Sequence, residues 1–192
     1  MRYPPPPWRL RGACWATVWL VRADAVPGGV RPLSVRGRTV VVTAFVDYRP
    51  GGVLTYRELA VVVPVRRGVR IVAIWVDSEA SRDGGRELWD IPKRLAHFDL
   101  TPASPFAALA HDEHGTIATA RLGRAARWWL PAAARAVVRQ PRRTPLGVRG
   151  RVAPARLSWH FDGPLGWLRG ARPLVGVVVT RLRLRFGPER VA

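Results

Sequence analysis

The sequence holds one cysteine, Cys14, and one lysine, Lys93, among 192 residues. A lone thiol excludes a disulfide framework and a zinc site built from cysteines. No apolar run approaches the roughly 20 residues that a membrane-spanning helix needs; the longest are Leu59–Val65 and Leu174–Val179. The opening residues, Met1-Arg2-Tyr3-Pro4-Pro5-Pro6-Pro7, carry no apolar leader core. The expected compartment is therefore the cytoplasm, with no membrane partner. Acids are scarce as well: 13 Asp and Glu stand against 32 Lys and Arg, a formal net charge of +19.

That surplus is 31 arginines and a single lysine. Together with abundant Ala, Gly, Pro and Val, it reads as the imprint of GC-rich coding. The arginines are spread along the whole chain, which argues against a nucleic-acid partner. The rival features are Arg181-Leu182-Arg183-Leu184-Arg185-Phe186, with three arginines on one alternating face, and the Trp128-Trp129 pair as a stacking platform.

With 48% hydrophobic residues the chain can bury a core, and disorder is excluded. Apolar, β-branched segments recur near Cys14–Val21, Thr39–Asp47, Leu54–Val63, Val69–Val76, Phe106–His111, Thr116–Leu122, Val152–Phe161 and Leu174–Phe186. Turn signals separate them, among them Arg49-Pro50-Gly51-Gly52. The pattern predicts a mainly β, single-domain antiparallel barrel or sandwich over residues 1–192 with a few short helices. Residues 1–10 read as an extended Pro-rich arm. One helix is expected over Ser78–Trp89, capped by Ser78 or Ser81, although Gly84-Gly85 weakens it. Pro131 makes a continuous helix over Arg124–Arg139 doubtful. His111-Asp112-Glu113-His114 falls on a predicted hairpin turn with no third ligand nearby, so no metal site is expected.

The chemistry concentrates around the one lysine. Trp89, Ile91, Pro92 and Leu95 surround Lys93 in sequence. A lysine held among apolar groups loses hydration, which disfavours its charged form. An unprotonated lysine is a nucleophile able to form a Schiff base with a ketone. Lowering it from about 10.4 to 7–8 takes roughly 3–5 kcal/mol. Desolvation is the larger expected cause, helped by Arg94 and the positive field, although Arg94 points to the opposite face if the segment is extended.

Gly85-Arg86-Glu87-Leu88 followed by Pro92-Lys93-Arg94-Leu95 resembles the acetoacetate decarboxylase family. A second block agrees: Tyr56-Arg57-Glu58, with Pro64-Val65 closing the apolar strand beyond it. The resemblance implies a closed, mostly antiparallel β-barrel-like fold with Lys93 in an apolar pocket, working without metal or organic cofactor. It implies Lys93 as the Schiff-base lysine and Glu58 as the residue that orients or shuttles a proton. Arg94, Tyr56, Arg11 and Trp89 are the candidate substrate-binding residues, and a small keto acid the partner. Arg86 and Glu87 read as structural, pairing with each other or capping the turn that presents the lysine. Relatives carry a further pocket acid where this chain has Val42-Thr43-Ala44. Asp90 is expected to pair with Lys93 or Arg94. The family also implies a homo-oligomer. The alternative reading is a barrel of the same fold that binds a small acid without catalysis.

Overall fold

The computed structural model describes residues 3–102 and 105–188. Eleven strands and one helix follow in the order β1 (Trp8–Arg22), β2 (Arg38–Arg49), β3 (Tyr56–Val65), β4 (Gly68–Val76), α1 (Glu79–Trp89), β5 (Lys93–Leu95), β6 (His97–Thr101), β7 (Ala107–Asp112), β8 (Gly115–Ala125), β9 (Leu130–Arg139), β10 (Arg143–Phe161) and β11 (Arg172–Phe186). All eight predicted strand segments fall on observed strands.

The strands form one sheet in the order β11-β1-β2-β3-β4-β9-β10-β8-β7-β6, with β5 added to β4 and β10 pairing back onto β11. The path therefore curls on itself. The β4–β9 link is a single rung, Val69 opposite Val138, so the architecture is barrel-like rather than the closed barrel expected. The β6–β7–β8 meander continues from β10 and contributes Phe98, Ala108, Ala110 and Ile117 to the larger core.

Strand β3 shows how the layers are made. Successive residues of a strand point to opposite faces. Leu59, Val61 and Val63, all fully buried, join the core shared with the meander. Burying each of these side chains contributes about 1.5–3 kcal/mol relative to exposure. Tyr56, Glu58, Ala60 and Val62 face the other way, into a partly open cavity. Both faces of β3 are thus covered, which explains its near-continuous apolar sequence.

In β4 a register shift lies opposite Val61/Val62, where Val61 pairs with Ala73 and Val62 with Ile71. Val72 and Ala73 both pack on the meander side as a result. The bulge returns Ile71 and Val69 to the cavity.

The doubt about a helix over Arg124–Arg139 is borne out: its second half is β9, laddered over Leu130–Arg139 with β10. Alanine favours helix locally, but ten residues of pairing with β10 override it, and Pro131 sits at a strand start where the missing N–H is tolerated. The arm is shorter than the ten residues expected. Trp8 already pairs with Phe186, and its buried indole donates to the Pro4 carbonyl at 2.8 Å.

Candidate active site

Lys93 opens β5, which pairs in parallel with β4 at Ile74. The preceding helix α1 sets its position. Ser78 caps the helix, its hydroxyl accepting from the Ser81 N–H at 3.2 Å. Asp90 ends the helix in the left-handed conformation, φ 55° and ψ 28°, with its N–H turned back to the Arg86 carbonyl. Arg86 Nε then donates to the Lys93 carbonyl at 2.7 Å. Arg86 therefore braces the lysine turn itself and does not pair with Glu87, whose carboxylate accepts from the Tyr3 hydroxyl at 2.6 Å.

The helix carries two adjacent glycines despite a cost of about 1 kcal/mol each relative to alanine. A Cβ on Gly85 would lie 2.7 Å from Lys93 Cδ and 2.9 Å from its Cε. A Cβ on Gly84 would lie 2.6 Å from the Trp8 indole. The pair of glycines lets the lysine stem and the Trp8 ring pass directly over the helix.

Lys93 is only 4% exposed, and its side chain ends in a polar cluster. Its Nζ donates to Ser81 Oγ at 2.8 Å, to Glu58 Oε2 at 3.1 Å and to the Tyr56 hydroxyl at 3.3 Å. It also lies 5.0 Å from the Tyr56 ring centre and 5.8 Å from that of Trp8. The Glu58 carboxylate is held from both sides, accepting from the Tyr48 hydroxyl at 3.4 Å and from the Tyr56 hydroxyl at 3.3 Å.

Burial is the larger influence on Lys93 and pushes its pKa below the ordinary lysine value, while the neighbouring Glu58 carboxylate pulls it back up. Burial and the same carboxylate drive the Tyr48 and Tyr56 phenols well above their usual range, so both stay protonated donors. Cys14 is pushed up to about 12, by burial first and then by Glu58.

The cluster lines a cavity of about 180 Å³. Among the described residues, Lys93 and Glu58 are the only charged ones along its walls. The remainder is apolar apart from the two tyrosines, with Trp8, Trp89 and Phe186 supplying an aromatic wall. Trp89 meets Trp8 and Phe186 edge to face, each at 4.7 Å between ring centres.

Of the candidate residues, the structure brings together Lys93, Glu58, Tyr56 and Trp89. Arg94 and Arg11 stand elsewhere. Arg94 follows Lys93 on an extended strand, so it faces outward and is exposed. Arg11 belongs to the outward set of β1, exposed, while Trp8 and Leu10 face the cavity. Asp90 is likewise not a neighbour of the lysine: its carboxylate pairs with Arg142 at 3.3 Å. Thr43 faces the meander core, where it accepts from the Trp19 indole at 2.9 Å. Arg181 has φ 49°, yet the alternation of the segment holds: Leu184 and Phe186 line the cavity while Arg181 and Arg183 are exposed.

Two members of the cluster escape sequence reasoning. Ser81 was legible only as a helix-cap residue, and its position one turn before Gly85 is the signal that it can reach the lysine. Tyr48 becomes a neighbour of Glu58 because β2 pairs with β3, Tyr48 opposite Tyr56.

With that geometry in place, the chain can be compared with known proteins. The family model for acetoacetate decarboxylase matches residues 2–156, and the chain belongs to that family. No curated protein matches it. Among solved structures it resembles an acetoacetate decarboxylase from Legionella pneumophila, with TM-score 0.69 and 19% identity over 98% of this chain and 87% of that one. An acetoacetate decarboxylase-like enzyme from Sphingomonas wittichii has TM-score 0.61 at 18% identity, over 96% and 92%. The enduracididine biosynthesis enzyme MppR, complexed with pyruvate, has TM-score 0.57 at 19% identity, over 96% and 88%. At these identities the structural likeness speaks to the fold. Among the described residues, no helix is long and apolar enough to cross a membrane.

Proposed function

We propose that this protein is a Schiff-base enzyme acting on a keto acid through Lys93, by decarboxylation or related carbon–carbon chemistry. The observation that carries the reading is the placement of the only lysine: buried, in an apolar cavity, with Glu58 at 3.1 Å and Ser81 at 2.8 Å from its Nζ. A surface lysine would need none of this. Holding an ammonium in such a site costs several kcal/mol of desolvation, offset in part by the Glu58 carboxylate.

The steps follow from the neighbours. Proton transfer from Lys93 to Glu58 leaves a neutral amine whose lone pair adds to the substrate's keto carbon. The carbonyl oxygen takes protons, Glu58 and the Tyr56 hydroxyl being in reach of Nζ, and leaves as water. The resulting iminium carries the positive charge. In a β-keto acid, breaking the bond to the carboxylate releases carbon dioxide, and the electron pair moves into the iminium to give an enamine. A proton taken up from water and passed through Glu58 to that carbon regenerates the iminium, and water then releases the ketone and the free amine. Tyr48 and Tyr56 keep Glu58 oriented throughout.

MppR, which shares the fold, binds the keto acid pyruvate, and this supports extending that substrate class to the present chain. The test is reductive trapping. The protein is mixed with acetoacetate and longer 3-oxo acids, borohydride is added, and intact mass and a peptide map are recorded. Lys93 is the only side-chain amine, so the adduct is unambiguous. An adduct on the Lys93 peptide is the expected result. Lack of any adduct with every keto acid, in protein shown to be folded, leaves the non-catalytic binding barrel as the better reading.

A further inference from the structure

The cavity's charge distribution and shape carry a statement about the substrate, one that rests on the Schiff-base reading above. We infer that the substrate is a 3-oxo acid, or the corresponding ketone, with an apolar tail of about five or six carbons or one aromatic ring, and with no charged group remote from its carbonyl.

The polar groups all lie at one end. Lys93, Glu58, Tyr56 and Tyr48 form a single cluster held by mutual hydrogen bonds. From Glu58 the same face of β3 runs on through Ala60 to Val62, four residues or about 13 Å at the rise of a strand. Along that length the walls are Ile74, Ile71 and Val69 of β4, with Val138 of β9 and Leu146 of β10 facing them. These wall residues offer no side-chain hydrogen-bonding group. A charged or hydroxylated tail would lose its hydration there without replacement.

Among the described residues no guanidinium lines this space: Arg11 and Arg94 are exposed and neither is part of the cavity wall. The one cation that these residues offer a substrate carboxylate there is the nitrogen of Lys93, which becomes the iminium. A carboxylate on the carbon next to the imine carbon lies within reach of that charge. One at the far end of the molecule would be buried among valines and leucines with no partner, close to the uncompensated cost of a lone buried charge.

The size follows from the volume. Benzene occupies an apolar cavity of about 150 Å³ in an engineered protein, a precedent rather than a result for this chain. The present cavity, about 180 Å³, is somewhat larger. A six-carbon chain or a phenyl group therefore fills it, whereas the methyl group of acetoacetate leaves most of it empty. Each methylene moved from water onto such walls tightens binding by about fourfold.

The experiment uses the intact protein and two readouts. Borohydride trapping is titrated with acetoacetate, 3-oxohexanoate, 3-oxooctanoate, benzoylacetate and the dicarboxylate 3-oxoadipate, and the half-saturating concentration is recorded. In parallel, the shift in thermal midpoint with the same compounds without borohydride reports occupancy whether or not an imine forms. The expected result is half-saturation falling severalfold with each added methylene up to 3-oxooctanoate, and 3-oxoadipate at least a hundredfold weaker than 3-oxohexanoate. Leu146→Phe, which shortens the cavity, should move the optimum to shorter chains.

Equal trapping of short and long chains, or preference for 3-oxoadipate, overturns the inference and leaves the Schiff-base reading intact. A chain-length-graded thermal shift without any adduct does the reverse: it supports the apolar-tail site and removes the imine. Neither adduct nor thermal shift overturns both.

Discussion

Gly85 and Lys93 are in such close approach that a single methyl group on the helix would stand 2.7 Å from the lysine's Cδ. The glycine, eight positions before the lysine in the chain, is the surface over which the lysine stem lies. It sits inside a helix, where glycine is intrinsically unfavourable, so the packing explains a residue that helix propensity alone would replace. Two elements that seemed separate motifs in the sequence form one device. The helix supplies the floor, Arg86 pins the backbone of residue 93, and Ser81 receives the amine.

Gly85→Ala tests that relationship directly. The helix gains about 1 kcal/mol of intrinsic propensity, while the overpacked lysine costs about 1–3 kcal/mol. We expect little net change in thermal midpoint but at least a tenfold loss in the rate of borohydride trapping at Lys93. Full trapping in the alanine variant would mean that the lysine stem shifts freely and that the glycine has no positioning role.

Glu58→Gln separates two effects on the lysine. Glu58 holds the Lys93 pKa up against desolvation, so its removal must lower that pKa further. The amine reacts only when neutral, hence trapping rate rises with pH through the lysine pKa and then levels off. In the variant the midpoint should move to lower pH. The plateau should fall by about 10²-fold or more, the usual contribution of a proton-transfer group. A midpoint moving up, or a plateau unchanged, would remove Glu58 from both roles.

Arg86→Ala removes the 2.7 Å bond from Nε to the Lys93 carbonyl while leaving the cavity walls untouched. Trapping at saturating keto acid should slow by roughly tenfold, with the pH midpoint unchanged, because the guanidinium acts through position alone. Arg86→Lys should not restore the rate, since an ammonium lacks the planar fork. A shifted midpoint would instead point to an electrostatic role.

Cys14 offers a check on burial that involves no substrate. Its pKa, pushed up to about 12 from an ordinary 9.0, leaves about a thousandfold less thiolate at neutral pH. Iodoacetamide at pH 8 should leave the native protein unmodified over hours and label it within minutes in urea. Rapid labelling of the native protein would show that the half-buried thiol is open to water and that burial does not hold its pKa up.

Much of this was written in the sequence. Apolar, β-branched runs with turn residues between are enough to place eight of the strands, because each must be covered on at least one face. The Tyr56–Glu58 and Gly85–Lys93 blocks pointed to the lysine and its carboxylate through their resemblance to the acetoacetate decarboxylase family. Strand β9 was not legible: Leu130-Pro131-Ala132-Ala133-Ala134 has weak strand propensity, and only the ladder with β10 makes it extended.

What the tertiary structure alone decided is which charges share the cavity. Residue parity is local, but which parity is inward depends on what covers each face. β3 is covered on both sides, so its alternation carries no outward mark. Arg94 and Arg11 fall on outward positions, and Asp90 is turned away by its left-handed cap toward Arg142. Ser81 and Tyr48 arrive through a helix turn and a strand pairing that no motif records. The sequence by itself determined a β-rich domain and set its one lysine among apolar neighbours. Only the curling of the strands around it determined that Lys93 is buried, with Glu58 the one other charge along the cavity walls among the described residues, because burial depends on neighbours far apart in the chain.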